Sequence, residues 1–420
     1  MTTLKRALTW REGAGFTVAA VLGSGVLVLP SLTATMAGPA SLWAWILIAL
    51  AIIPIGLTLG QLAVRYPDAG GIAAYVREAF GTFSGRVIGY LYLATVPVAA
   101  PAAAIIGMDY VRTFLHWSWA PTIGGATLIL AAAILANYLG VELSGMTVTV
   151  VVVVIAVVML AAVILAMPHM NTQVFSPWLP HGWIPVGQSL ALLFWAFVGW
   201  EMLGHMVEEF VNPTTDVPRA LAMAIMVIDV LYIAVSVVTI GTRTYGAGKT
   251  GDGLAQLVGL GLGRAGMAVI VVLAILVTYG TIHTYVAGFS RLVYAQSRAG
   301  DLPLTFAELH RRFRTPSRVL IALIVPFAIV LVVEWVHPLD LSQLILWPSA
   351  IFIVLYIAAM GAGWRLLSKP GHRAAAVLGL VFSIVALSFV GWALLLPLGI
   401  IVVAWMGGKF RVVVTLNRKM

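Results

Sequence analysis

The sequence predicts an all-α polytopic membrane protein, and three observations carry that prediction. Hydrophobic residues make up 61% of the 420-residue chain and charged residues 9%, more apolar than a soluble domain of this length needs for its core. Apolar runs of roughly twenty residues, the length that spans a bilayer, follow one another along the whole chain. Of the 24 lysines and arginines, all but Arg112, Arg243, Lys249 and Arg264 fall in alternate connections between those runs.

The runs place spans at 13–37, 41–64, 84–113, 120–139, 143–167, 185–208, 219–244, 265–295, 317–335, 341–364, 373–391 and 393–408, twelve transmembrane helices in a single domain covering residues 1–420. The basic residues before span 1 (Lys5, Arg6, Arg11) and the cluster at Arg311, Arg312, Arg314 and Arg318 then share one side. The positive-inside rule makes that side, and both termini, cytoplasmic. Span 1 superficially resembles a signal peptide, but its apolar run is too long and too many others follow, so it is read as retained.

Two spans are interrupted. Ala20–Pro30 reads AVLGSGVLVLP, with Gly23-Ser24-Gly25 inside an apolar helix, and Phe194–Glu201 reads FWAFVGWE, with Gly199 beside an ionisable Glu201. A membrane helix tolerates such a break where the freed backbone groups line a cavity within the protein. Breaks at corresponding positions in two halves are the sequence pointer to a transporter's binding site. Span 1 starts inside and span 6 outside, so 13–167 and 185–364 form an inverted pair of five-helix repeats, with 373–408 peripheral. The connections at Gly70–Phe80 and Gly253–Leu262 read as short helices.

Several other functions are excluded. The net charge of +9 is explained by topology, and no polar stretch is long enough to form a nucleic-acid-binding face. With no cysteine there is neither a disulfide framework nor a thiolate metal site, and no His/carboxylate cluster has zinc spacing, so neither metal nor cofactor is expected. Gly261-Leu-Gly263-Arg-Ala-Gly266 matches a dinucleotide-binding pattern but follows no strand. No phosphate-binding G-x-x-x-x-G-K-[ST] loop is present, which excludes an ATP-driven pump of that kind. His169 and His181 read as solvated loop residues.

Several stretches resemble the amino acid/polyamine/organocation superfamily of transporters. GSGVLVLP at Gly23–Pro30 is similar to its first-helix signature, and YPDAGGIAAYVREAFG at Tyr66–Gly81 to its loop between helices two and three. FWAFVGWE resembles its sixth-helix break, VNPTTDVPRA the approach to helix seven, and SRLVYAQSRAGDLP at Ser290–Pro303 the loop after helix eight. The first eight spans match in order, and the wording RYPDAGGIAAYV looks most like the bacterial branch that exports methionine and branched-chain amino acids. The resemblance implies a leucine-transporter-like fold in a bacterial inner membrane.

A zwitterionic amino acid within a bilayer brings two charges that must both be compensated. Amides at the start of the half-helix at Ser24, Gly25 and Val26 suit the carboxylate, while the carbonyls of Val21, Phe197 and Val198 suit the ammonium; Gly23 and Gly199 let the ligand approach the backbone. The resemblance implies the same placement. The competing reading of these glycines is helix packing through small residues. Trp195, Phe197, Trp200, Met202 and the small-residue run Pro97–Ala104 offer an apolar side-chain subsite, although any single aromatic reads equally as packing.

The ionisable groups within spans are Glu201, His205, Asp229 and His283. Glu201 is the leading proton-coupling candidate, since the superfamily's proton-coupled members often carry a carboxylate there; the competing reading is that it bonds backbone freed by the break. Asp229 and His283 are secondary candidates. Span 5 lacks the lysine that some proton-coupled relatives carry, and a sodium site between spans 1 and 8 would need Thr281 or Thr284. The expectation is a secondary transporter of apolar amino acids, exporting methionine, leucine, isoleucine or valine in exchange for protons, with sodium the other coupling ion. Uptake or exchange on the same scaffold is the alternative, and a non-translocating sensor or a membrane-embedded enzyme a remote one.

Overall fold

The computed structural model describes residues 8–67, 70–140, 145–205, 207, 210–246, 252–298 and 300–417; Lys5, Arg6, Lys249, Arg418 and Lys419 of the charge pattern lie outside them. Among the described residues the chain is helical, with one isolated bridge between Leu8 and Phe210. Span 1 is split into α1 (Trp10–Val21) and α2 (Gly25–Ala37), followed by α3 (Ser41–Arg65), the short α4 (Ile72–Phe80), α5 (Thr82–Leu115), α6 (Trp119–Leu139) and α7 (Gly145–Ala166). Span 6 is split into α8 (Trp183–Leu193), extended by one 3-10 turn to Phe197, and α9 (Met202–His205). Then come α10 (Pro213–Gly241), α11 (Gly253–Arg298), α12 (Ser317–Ala322), α13 (Ile324–Val336), α14 (Leu341–Leu366), α15 (Pro370–Leu387) and α16 (Leu395–Asn417).

Eight helical runs among the described residues are long and apolar enough to cross a membrane, and shorter apolar helices lie at 153–169, 183–197 and 391–406. The second break accounts for the short piece at 183–197, and the first leaves α1 and α2 each too short to be a full span. Both connecting helices form: α4 lies in the first long connection. A kink at Gly263 (φ 58°, ψ −151°) divides Gly253–Leu262 from the rest of α11.

Large apolar side chains point outward at helical spacing, as at Trp43, Leu47, Leu50, Ile53 and Leu57 along α3, which only a lipid surround makes tolerable. Inside, helices approach through small residues. Gly56 and Gly60, one turn apart on α3, lie under Ile225 and Leu221 of α10, and a Cβ on Gly60 would come within 2.4 Å of Leu221. The split span lies in the middle of this core: α1 packs on α10, α2 on α8 and α10, and α5 on α11 and α14. Val211 N–H donates to Leu8 O (3.0 Å), tying the start of the chain to the segment after α9.

Some buried polar groups are matched between helices, while others, such as Ser189 Oγ and Thr278 Oγ1, have no partner among the described residues. Trp45 donates its indole N–H to Thr33 Oγ1 (3.1 Å), and Thr33 donates to Leu29 O (2.7 Å), joining α3 to α2. Replacing Thr33 by valine keeps its shape but strands the buried indole N–H, and is expected to cost about 1–3 kcal/mol. A lowered melting temperature of the detergent-purified protein, without loss of helical circular dichroism, is the check.

Candidate functional site

The first break is three residues long. Gly23 N–H donates to Val21 O (2.7 Å) in a tight turn, and α2 then opens at Gly25 with Ser24 as its N-cap. The N–H groups of Gly25 and Val26 belong to the first turn of α2 and have no acceptor within their own helix. The second break opens the chain at Val198, which is extended (φ −88°, ψ 146°), and at Gly199, whose φ of 122° favours glycine.

The two breaks interlock. A Cβ on Gly25 would lie 2.9 Å from Ala196 Cα and 3.0 Å from Trp195 Cδ1; one on Gly199 would lie 2.7 Å from the carbonyl oxygen of Ala20. Each break therefore seats the backbone beside the other, and only glycine leaves the room. α11 approaches the same place, with Thr281 3.7 Å from the Cβ position of Gly23.

Two tyrosines close the carbonyl side. Tyr232 on α10 places its hydroxyl 3.2 Å from Val21 O and 3.3 Å from Ala196 O, reaching a carbonyl of each broken helix. Tyr356 on α14 places its hydroxyl 3.3 Å from Phe197 O and 2.9 Å from Glu201 Oε2, and the same carboxylate oxygen accepts from Gly199 N–H (3.1 Å). Tyr110 donates to Leu27 O and anchors α5 to α2. Tyr232 packs edge to face against both Trp45 and Phe197, and Trp45 lies tilted to Phe197, so the chain turns at Phe197 against an aromatic wall.

This arrangement offers amide donors on one side, carbonyl acceptors on the other, and one buried carboxyl beside them. A model of the amino acid permease family matches residues 8–416. The chain belongs to that family. It is 40% identical over 396 residues to the uncharacterized amino acid permease YecA of Bacillus subtilis, covering 94% of this chain and 93% of that protein. It is 29% identical over 415 residues to the L-methionine/branched-chain amino acid exporter YjeH of Escherichia coli, covering 97% of each. The branched-chain amino acid permease BcaP of B. subtilis is 23% identical over 333 residues, 75% of this chain and 72% of that protein.

In this permease, Val21, Gly23, Ser24, Gly25, Val26, Phe197, Val198 and Gly199 come together around the paired breaks. Trp195 packs against Gly25. Trp200 is buried but faces α3 and α4, beside Leu59, Gly60 and Tyr75. Ala100–Ala104 is buried on α5, while the side chains of Met202 and His205 lie outside those described.

The other ionisable candidates are dispersed. Asp229 lies one helical turn before Tyr232, and its Oδ1 is buried without a partner among the described residues. His283 sits against α6, where Asn137 Nδ2 is 3.2 Å from its Nδ1 and donates to its carbonyl at 3.1 Å. Thr284 is exposed and donates to Gly280 O on its own helix, leaving Thr281 as the threonine at the break. Tyr232, Tyr356 and Asn137 were not singled out from sequence. The usable signal was chemical: a hydroxyl or amide within an apolar span needs a partner, and freed backbone is what a broken helix supplies.

The two glycines of the first break should respond differently to alanine. Gly25→Ala drives a methyl into Ala196 backbone and should destabilise the fold by about 1–3 kcal/mol, whereas Gly23→Ala meets only ordinary contacts and should melt close to the parent. Thermal denaturation of both variants in detergent checks the difference.

Proposed function

We propose that the chain is a secondary transporter of apolar amino acids (methionine, leucine, isoleucine and valine) working by alternating access and exporting its substrate in exchange for protons. The observation that carries this reading is the meeting of two broken helices with opposed backbone groups, set in an apolar surround beside one buried carboxyl. The full-length similarity to an L-methionine/branched-chain amino acid exporter supports the substrate class and the direction. Uptake or exchange of the same substrates is the second reading, favoured by the similarity to a branched-chain amino acid permease.

In this reading the substrate carboxylate takes the amides of Ser24, Gly25 and Val26, where the half-helix dipole favours negative charge. Its ammonium takes the carbonyls of Val21, Phe197 and Val198. The Val21 and Phe197 carbonyls already face tyrosine hydroxyls; a carbonyl oxygen has two lone pairs, so the ammonium shares or displaces Tyr232 and Tyr356. Tyr356 also holds Glu201, which links substrate at Phe197 to the state of that carboxyl. Glu201 is the coupling proton site, with Asp229 and His283 as secondary positions. Twelve crossings, inverted repeats at 13–167 and 185–364, peripheral helices at 373–408 and cytoplasmic termini in a bacterial inner membrane complete the proposal.

Proteoliposome transport tests it. An imposed pH gradient should drive accumulation of labelled methionine or leucine, and Glu201→Gln should abolish that accumulation while leaving substrate counterflow. If no apolar amino acid moves, the substrate class is wrong; if Glu201→Gln still accumulates substrate on a pH gradient, the proton site is elsewhere.

A further inference from the structure

Beside the second break, Trp200 and Glu201 line one small, tightly packed gap. Its walls are Leu59 and Gly60 of α3, Tyr75 of α4, and Leu203 and Gly204 of α9. Glu201 is 4% exposed and Trp200 1%, and neither Glu201 Oε1 nor Trp200 Nε1 has a hydrogen-bond partner among the described residues. The packing leaves no room for a water molecule. Two buried polar groups with neither partner nor hydration are costly, so a conformation that wets them is favoured on that account.

α4 supplies one wall of this space through Tyr75. It is a nine-residue helix bounded by Gly71 (φ 53°) and Gly81 (φ 92°), both in the backbone region that favours glycine and well suited to act as hinge points. Tyr75, 2% exposed, is the α4 residue that reaches the space. Its hydroxyl lies against Gly204, where a Cβ would come within 2.9 Å of it. The groups near Glu201 are tyrosines from four elements: Tyr356 on α14, Tyr92 on α5, Tyr285 on α11 and Tyr75 on α4. No lysine, arginine or histidine pairs with it among the described residues, so its charged form gains most from contact with water.

We propose that α4 closes the route by which protons reach Glu201, with the Tyr75 ring as stopper and Gly204 as the seat on which it closes. This rests on the reading of Glu201 as the coupling site. When α4 swings out on its glycine ends, water enters beside Leu59 and Leu203, and the carboxyl exchanges its proton with the side of the membrane that carries α4. When α4 returns, the proton is committed and the carboxyl faces only the permease interior. Tyr75 acts here as a positioning residue, by filling space.

The absence of cysteine makes the test direct, because Leu59→Cys or Leu203→Cys introduces the single thiol. Each variant is treated in inverted membrane vesicles with a small, membrane-impermeant methanethiosulfonate cation. With Tyr75 intact, modification should be slow. Tyr75→Ala should accelerate it by about tenfold or more, Gly204→Ala should accelerate it by lifting the hydroxyl off its seat, and Tyr75→Phe should leave it slow. Fast modification with Tyr75 intact, or rates unchanged by Tyr75→Ala at both reporter positions, overturns the proposal. The pH dependence of methionine-induced thermal stabilisation separates the two readings. If it is lost in Glu201→Gln, the sealed group is the titrating one. If it survives, the proton role of Glu201 fails and this proposal fails with it, whatever the labelling pattern.

Discussion

The reciprocal seating of two broken helices is the contact on which the rest of this structure depends. Gly25 makes room for the backbone at Ala196, and Gly199 makes room for the carbonyl of Ala20. Neither half-span is long enough to cross a bilayer, and in lipid an exposed backbone group has nothing to bond. Docking break against break keeps the freed amides and carbonyls inside protein. The core is arranged around that need: α10 supplies Tyr232, α14 supplies Tyr356, and the close α3–α10 packing at Gly56 and Gly60 holds α10 near enough to reach.

The same contact gives the site its polarity without formal charge from the chain. Carbonyls at Val21, Ala196 and Phe197 converge from two helices, and the first-turn amides of α2 lie across the break. In the proposed reading a zwitterion would meet partial charge of opposite sign at each end, at lower desolvation cost than an ion pair with a buried lysine or arginine would require. Tyrosine suits the neighbouring positions for a related reason. Its hydroxyl satisfies a carbonyl while its ring stays packed. Among the described residues, Glu201 is the carboxyl drawn into this network, bonded to Gly199 N–H and Tyr356.

The breaks were legible in the sequence because glycine in an apolar run is a local signal. Gly23-Ser24-Gly25 and FWAFVGWE each mark a place where helix cannot continue unaided, and the structure breaks there. The helices of the two long connections were legible for the same reason, being bounded by Gly71, Gly81 and Gly263. The direction of a side chain on a uniformly apolar helix was not legible, since no periodicity separates a lipid face from a buried one. Tyr232 therefore looked like any aromatic in a span, Trp200 read as part of the pocket although it faces α3 and α4, and His283 gave no hint of its contact with Asn137. Thr281 and Thr284 read alike, yet one turns to the break and the other outward.

In the proposed mode of recognition, backbone groups of the paired breaks hold both ends of an amino acid. This mode is tested most directly by thermal stabilisation of the purified protein with methionine and with two analogues, 3-(methylthio)propylamine lacking the carboxylate and 4-(methylthio)butanoate lacking the ammonium. A ligand that binds the folded state raises its melting temperature with concentration. Methionine should stabilise the protein at millimolar concentration and either analogue only a little, because each analogue leaves one set of backbone groups unanswered. Equal stabilisation by an analogue and by methionine would contradict this mode, since recognition would then rest on the thioether side chain rather than on the breaks.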